Sequence, residues 1–117
     1  MSFIFDKSLR LLKSYEFNNL RANSVKVENK EFYLIFRKNV YDYSRIGLTV
    51  SKRIGNAVAR NRIKRIIRDY FRRNRTLISN NIDIIVIAKK YVAGKTNKEI
   101  FDSLRKVFNK IDNGKNN

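Results

Sequence analysis

Apolar positions along this chain switch between a two-residue and a helical repeat, and each switch marks an element. Phe32, Leu34 and Phe36 face one way and Tyr33, Ile35 and Arg37 the other, which predicts a strand over Glu31–Lys38. Ahead of it, Ser24–Val27 reads as a short strand, joined to it by a turn at Glu28, Asn29 and Lys30. A polar, tyrosine-containing loop covers Asn39–Ser44. Alternation then returns over Arg45–Ser51, with Ile46, Leu48 and Val50 on one face and Gly47, Thr49 and Ser51 on the other. The small residues of that second face suit a surface that another group approaches closely. Ile82, Ile84, Ile85, Val86, Ile87 and Ala88 form a nearly unbroken apolar run, the pattern of a central strand covered on both faces.

Helical spacing appears three times. Leu9, Leu11, Leu12, Tyr15, Phe17 and Leu20 predict a short first helix, with Ser14 its candidate cap. From about Ala57 to Arg73, Ile63, Ile66, Ile67, Tyr70 and Phe71 gather into one stripe, while Arg60, Asn61, Lys64, Arg65, Arg68 and Arg72 gather on the far side. Arg62 falls at the flank, beside Asp69 and Arg73. Thr96, Asn97, Lys98 and Glu99 match a capping box, after which Ile100, Phe101, Leu104, Val107, Phe108 and Ile111 repeat as a helix face. The order α-β-β-β-α-β-α describes a single α+β domain, a mixed sheet of about four strands with helices packed on it. Residues 112–117 read as a polar, mobile tail.

Charge sharpens this picture. The 117 residues carry 27 Lys plus Arg against 10 Asp plus Glu, a formal net charge of +17. That sign attracts nucleic-acid phosphates or an anionic membrane surface. From Lys52 to Arg75 there are ten basic residues and one acid, so the middle helix presents cations that repel one another unless a polyanion neutralises them. Lys52, Arg53, Ile54, Gly55 and Asn56 form a turn before it, in which Gly and Asn tolerate unusual backbone angles. The cations of this turn stand beside unpaired helix N–H groups that also favour anions. No stretch approaches the about 20 apolar residues of a membrane span, and no secretory signal is evident, which makes the cytoplasm the expected compartment and a membrane no expected partner.

Composition also removes chemistry. Without cysteine there is no disulfide, thiolate or Cys-based zinc site. Without histidine the usual acid–base group near neutral pH is missing, together with every His–metal ligand. Any reaction this protein serves is therefore expected to have its chemistry elsewhere.

The run from Arg45 to Arg65, RIGLTVSKRIGNAVARNRIKR, closely resembles the signature of the bacterial ribonuclease P protein subunit, and the element order resembles that family from about Leu9 to Ile111. The resemblance implies a small basic protein that joins a large catalytic RNA to remove the 5′ leader of precursor tRNA, with Mg2+ held mainly by the RNA and no other protein required. By motif position it implies RNA contacts from Lys52, Arg53, Asn56, Arg60, Asn61, Arg62, Lys64, Arg65 and Arg68, and the cationic face adds Arg72. It further implies a leader-binding cleft between sheet and first helix, drawing on Phe17, Arg21, Tyr33, Thr49 and Ser51. Unpaired bases stack on aromatic rings, which singles out Phe17 and Tyr33, although both also suit a core. Arg21 stands where the family commonly has a second aromatic. The resemblance alone implies that the middle helix joins two parallel strands by a left-handed crossover, against the usual hand.

Three other readings fit parts of the sequence. A DNA-binding regulator would need a helix where the strand Arg45–Ser51 falls. A ribosomal protein shares the size and charge and is separated only by the motif. An autonomous nuclease would need Asp69, Asp83 and Asp102 to converge on metal from three separate elements.

Overall fold

The innermost element is Ile82–Ala88, whose seven residues are all buried except the half-buried Ile87. A computed structural model describes residues 24–74 and 81–115, with side chains to residue 111. The expected first helix, with Phe17 and Arg21, lies outside the described residues. Among the described residues there are four strands: β1 (Val25–Glu28), β2 (Phe32–Lys38), β3 (Arg45–Thr49) and β4 (Ile82–Ala88). Two α-helices accompany them, α1 (Ala57–Asn74) and α2 (Asn97–Lys115), each preceded by a short 3-10 turn, Lys52–Ile54 and Lys90–Val92.

The sheet order is β1-β2-β4-β3, with β1 and β4 antiparallel to β2, and β3 parallel to β4. This is the mixed four-stranded α+β sheet read from the sequence, and α1 is the crossover between its two parallel strands. Placing β4 between β2 and β3 pairs both its edges, and its residues are apolar on both sides because each face is buried in a cluster.

Register divides the sheet into two faces. Phe32, Leu34, Phe36, Ile46, Ile82, Ile84 and Val86 join Ile63, Ile67 and Phe71 of α1 and Ile100, Leu104 and Val107 of α2 in the main core. Each fully buried aliphatic or aromatic side chain of this kind contributes about 1.5–3 kcal/mol. On the opposite face Ile35 and Ile85 are buried together, with Tyr33 and Ile87 packed against them. Both faces of β2 and β4 are thus apolar.

Polar ties fix the ends. Asn29 Oδ1 accepts from the N–H groups of Phe32 (2.8 Å) and Glu31 (3.2 Å), while its Nδ2 donates to the Ser103 carbonyl at 2.9 Å, joining the β1–β2 turn to α2. At the other end Arg45 Nε and Nη2 donate to the two oxygens of the buried Asp83 at 2.9 and 2.7 Å, and Asn39 Nδ2 adds 2.9 Å. The capping box forms as read: Thr96 N–H donates to Glu99 Oε1 at 2.9 Å and Glu99 N–H to Thr96 Oγ1 at 3.1 Å. These bonds to Thr96 hold the Glu99 carboxyl below its ordinary pKa.

Boundaries differ in three places. β1 starts and ends one residue later than expected, because the Asn29 side chain closes the turn. β3 stops at Thr49, and Ser51 becomes the residue from which the 3-10 turn starts. α2 runs on to Lys115, so four residues read as tail have helical backbone; extending an existing helix adds a hydrogen bond per residue without a new nucleus.

Candidate nucleic-acid interface

The interface is built on a turn that is pinned from below. Ile54 is buried in the core while Lys52 and Arg53 are exposed beside it, so the 3-10 turn holds two cations outward on one apolar anchor. Gly55 follows with φ 163° and ψ −170°, extended backbone open to any residue. The sequence reading assigned this glycine to an unusual backbone angle; the structure gives another reason. A Cβ on Gly55 would lie 3.0 Å from Ala59 Cβ, so the absent side chain lets the turn press against the helix.

Asn56 begins α1. Its Oδ1 accepts the Ala59 N–H at 2.9 Å and its carbonyl accepts the Arg60 N–H at 3.0 Å, the geometry of an N-cap. Its side-chain oxygen is therefore committed to the helix, and the residue is exposed. The first turn of α1 contains no acid, so the positive end of the helix dipole adds to Lys52 and Arg53.

Along α1 the stripe is buried as read, with Ile63, Ile67, Tyr70 and Phe71 in the core and Ile66 partly so. The opposite side carries the cations. Asn61 and Arg65 are exposed, and Arg60, Lys64 and Arg68 are half-buried. Arg60 Nε is buried with no hydrogen-bond partner among the described residues. Arg72 and Arg73 both pair with Asp69, the latter at 3.2 Å, which subtracts from the field at the helix's end. Arg62 behaves differently. Its guanidinium donates to Asn97 Oδ1 and to the Lys95 carbonyl (3.0 Å), tying α1 to the start of α2. Between the two helices lies a cleft of about 560 Å³ lined by Arg62, Arg65, Ile66, Asp69, Arg72, Asn97 and Phe101.

The residues read as a leader cleft divide. Tyr33 and Thr49 both align with Ile87, one from each neighbouring strand, so they stand on the same face about 10 Å apart across β4. Both are half-buried, and Tyr33 packs against Ile35 and Ile85 while keeping part of its surface open. Ser51 is exposed beyond the strand's end.

Two clusters escaped the sequence reading. Tyr91 is 48% exposed with Lys30 and Lys90 ammonium groups 5.5 and 5.2 Å from its ring centre, and its 3-10 turn packs on the Lys52–Ile54 turn. The signal was Lys89-Lys90-Tyr91 directly after a central strand. Arg45 lies 4.6 Å from the Tyr41 ring as well as on Asp83. The three aspartates of the nuclease reading do not converge: Asp83 is held by Arg45, Asp69 by Arg72 and Arg73, and Asp102 stands 4.0 Å from Arg105.

Known proteins place this arrangement. The Ribonuclease P family model matches residues 5–112. The ribonuclease P protein component of Desulforapulum autotrophicum is 49% identical over 110 residues, covering 94% of each chain, and that of Halalkalibacterium halodurans is 39% identical, covering 89% of this chain and 88% of that one. Among solved structures, a Staphylococcus aureus RNase P protein mutant with defective mRNA degradation activity superimposes with a TM-score of 0.86 at 36% identity, covering 91% and 90% of the chains. The RNase P protein from Thermotoga maritima gives 0.80 at 32% identity, covering 87% and 96%. A sheet of this order, an asparagine-capped cationic helix after a basic turn, and these matches across nearly the whole chain lead to one statement: the chain belongs to the bacterial ribonuclease P protein family.

Proposed function

We propose that the outer side of α1, with the Lys52–Ile54 turn, docks on the catalytic RNA of ribonuclease P, while the Tyr33–Thr49 face of the sheet receives the 5′ leader of precursor tRNA. Family membership makes this chain a subunit of the ribonucleoprotein endoribonuclease of tRNA 5′ maturation, and it removes the ribosomal alternative. The observation that carries the residue-level reading is the one-sided helix: an apolar stripe engaged in the core, and a reverse side on which Asn61 and Arg65 are exposed and Arg60 and Lys64 half-buried.

Phosphate neutralisation supplies most of such an affinity, and base contacts add selectivity. Tyr33 offers a partly open ring for stacking, and Thr49, two strands away, a hydroxyl for hydrogen bonding. In this reading the RNA would hold the Mg2+, which would supply electrostatic stabilisation of the transition state when bound. The carboxylates of this chain fit that division, since Asp69 and Asp83 are paired with arginines. No described helix is long and apolar enough to cross a membrane, and we place the enzyme in the cytoplasm with its RNA partners.

Reconstitution tests the proposal. Protein alone leaves precursor tRNA intact, and added to the catalytic RNA it restores cleavage at a magnesium concentration too low for the RNA by itself. Leader removal by the protein alone would refute it.

A further inference from the structure

We infer that the cleft between α1 and α2 is a nucleotide pocket, which takes one unpaired base of the RNA against Phe101 and Ile66 and its backbone phosphate at Arg65. The inference rests on the docking reading above and names a contact within it. Three features converge. The cleft's about 560 Å³ lies within the roughly 300–1,000 Å³ typical of small-ligand sites, so a base and sugar fit. Its apolar wall contains an aromatic ring, and planar bases stack on such rings regardless of sequence. Its remaining wall sets three arginines against one aspartate, a balance that favours an anionic ligand over a cationic or neutral apolar one.

The pocket is also rigid. Tyr70 meets the Phe101 ring at 5.0 Å and 70°, an edge contact that fixes the ring without stacking on it. Arg62 bridges to Lys95 and Asn97 and so sets the spacing of the two helix ends at the cleft. Asp69 and Asn97 place an acceptor and an amide donor group on the walls, the complement of a base edge. Because a paired base presents no open face, the ligand must be unpaired or turned out of its stack.

The test compares a short oligoadenylate with an abasic strand of equal length, both titrated against the full chain over a range of salt. The wild type binds the adenylate about five-fold tighter or more, the lower limit of one stacked base. In Phe101→Leu, which keeps the apolar volume, that advantage falls several-fold, and it falls toward unity when Tyr33→Leu removes the sheet's stacking ring as well, while the salt slope stays unchanged. Phe101→Trp keeps the advantage and adds the only tryptophan of the chain, whose emission is quenched by the adenylate and not by the abasic strand. Equal wild-type affinities, a full advantage surviving in Phe101→Leu, or an unquenched tryptophan would each overturn the pocket. A flat salt slope with the base advantage intact would instead overturn the docking reading and the phosphate contact at Arg65 while sustaining the base site on Phe101.

Discussion

Changing Asp69 to asparagine should strengthen RNA binding, and the structure sets the size of the effect. The turn and α1 carry nine described cations. Arg72 and Arg73 are paired with Asp69, and Arg62 is bonded to the start of α2. Setting these aside, with Arg68, which has a contact of its own, leaves Lys52, Arg53, Arg60, Lys64 and Arg65 as the group proposed to face phosphate. At about 0.7 to 0.9 per phosphate contact, five contacts give a log–log salt slope of about −3.5 to −4.5, so a four-fold rise in salt weakens binding by about 2 to 2.7 orders of magnitude. Asp69→Asn releases up to two further cations and steepens the slope by about 0.7 to 1.8. Its stability cost is small, because half-exposed i,i+3 and i,i+4 pairs are worth about 0.3–0.5 kcal/mol each. The assay is fluorescence anisotropy of labelled catalytic RNA at several salt concentrations, with melting curves as control. A slope shallower than about −2, or no change on replacing Asp69, would refute phosphate neutralisation by this face.

Asp83→Ala should strand the Arg45 guanidinium, only 15% exposed, and cost about 3–5 kcal/mol, lowering Tm by about 12–20 °C; Arg45→Met added to it should recover part of the loss in thermal melts. Gly55→Ala should cost about 1 kcal/mol through the 3.0 Å contact with Ala59 and weaken RNA binding by shifting Lys52 and Arg53, measurable by melting and anisotropy together. Burial pushes the Tyr70 phenol above 10.0, with Arg105 offsetting part of the rise. A raised folded pKa gives stability that is complete below the unfolded value and lost as pH climbs through the folded one, so denaturant midpoints should fall above pH 10 in the wild type and fall less in Tyr70→Phe.

Periodicity made the sheet and both described helices legible, because burial on one face imposes its repeat directly on residues such as Ile63, Ile67 and Phe71. The 3-10 turns at Lys52 and Lys90 left no such trace, since three residues are too few for a repeat. Arg62 shows the limit at the site. Its flank position was readable from the helix itself, whereas its partner Asn97 is 35 residues away and known only once α2 packs. Asn56 was legible and read for a different role: an asparagine directly before a helix is a cap by local chemistry. Tyr33 suited both packing and stacking in the sequence, and its half-buried position on the second face accommodates both.

The position of β4 has a consequence for biosynthesis. A ribosome delivers β1, β2, β3 and α1 before Ile82 emerges, yet β2 and β3 have no pairing with each other and α1 has only part of its core. Until the last third of the polypeptide is made, two strand edges and an isoleucine-rich helix face stay uncovered, a state prone to sticking to other nascent chains. The excess of cations also makes these unfinished chains repel one another, so the charge proposed for the mature interface would protect its assembly too.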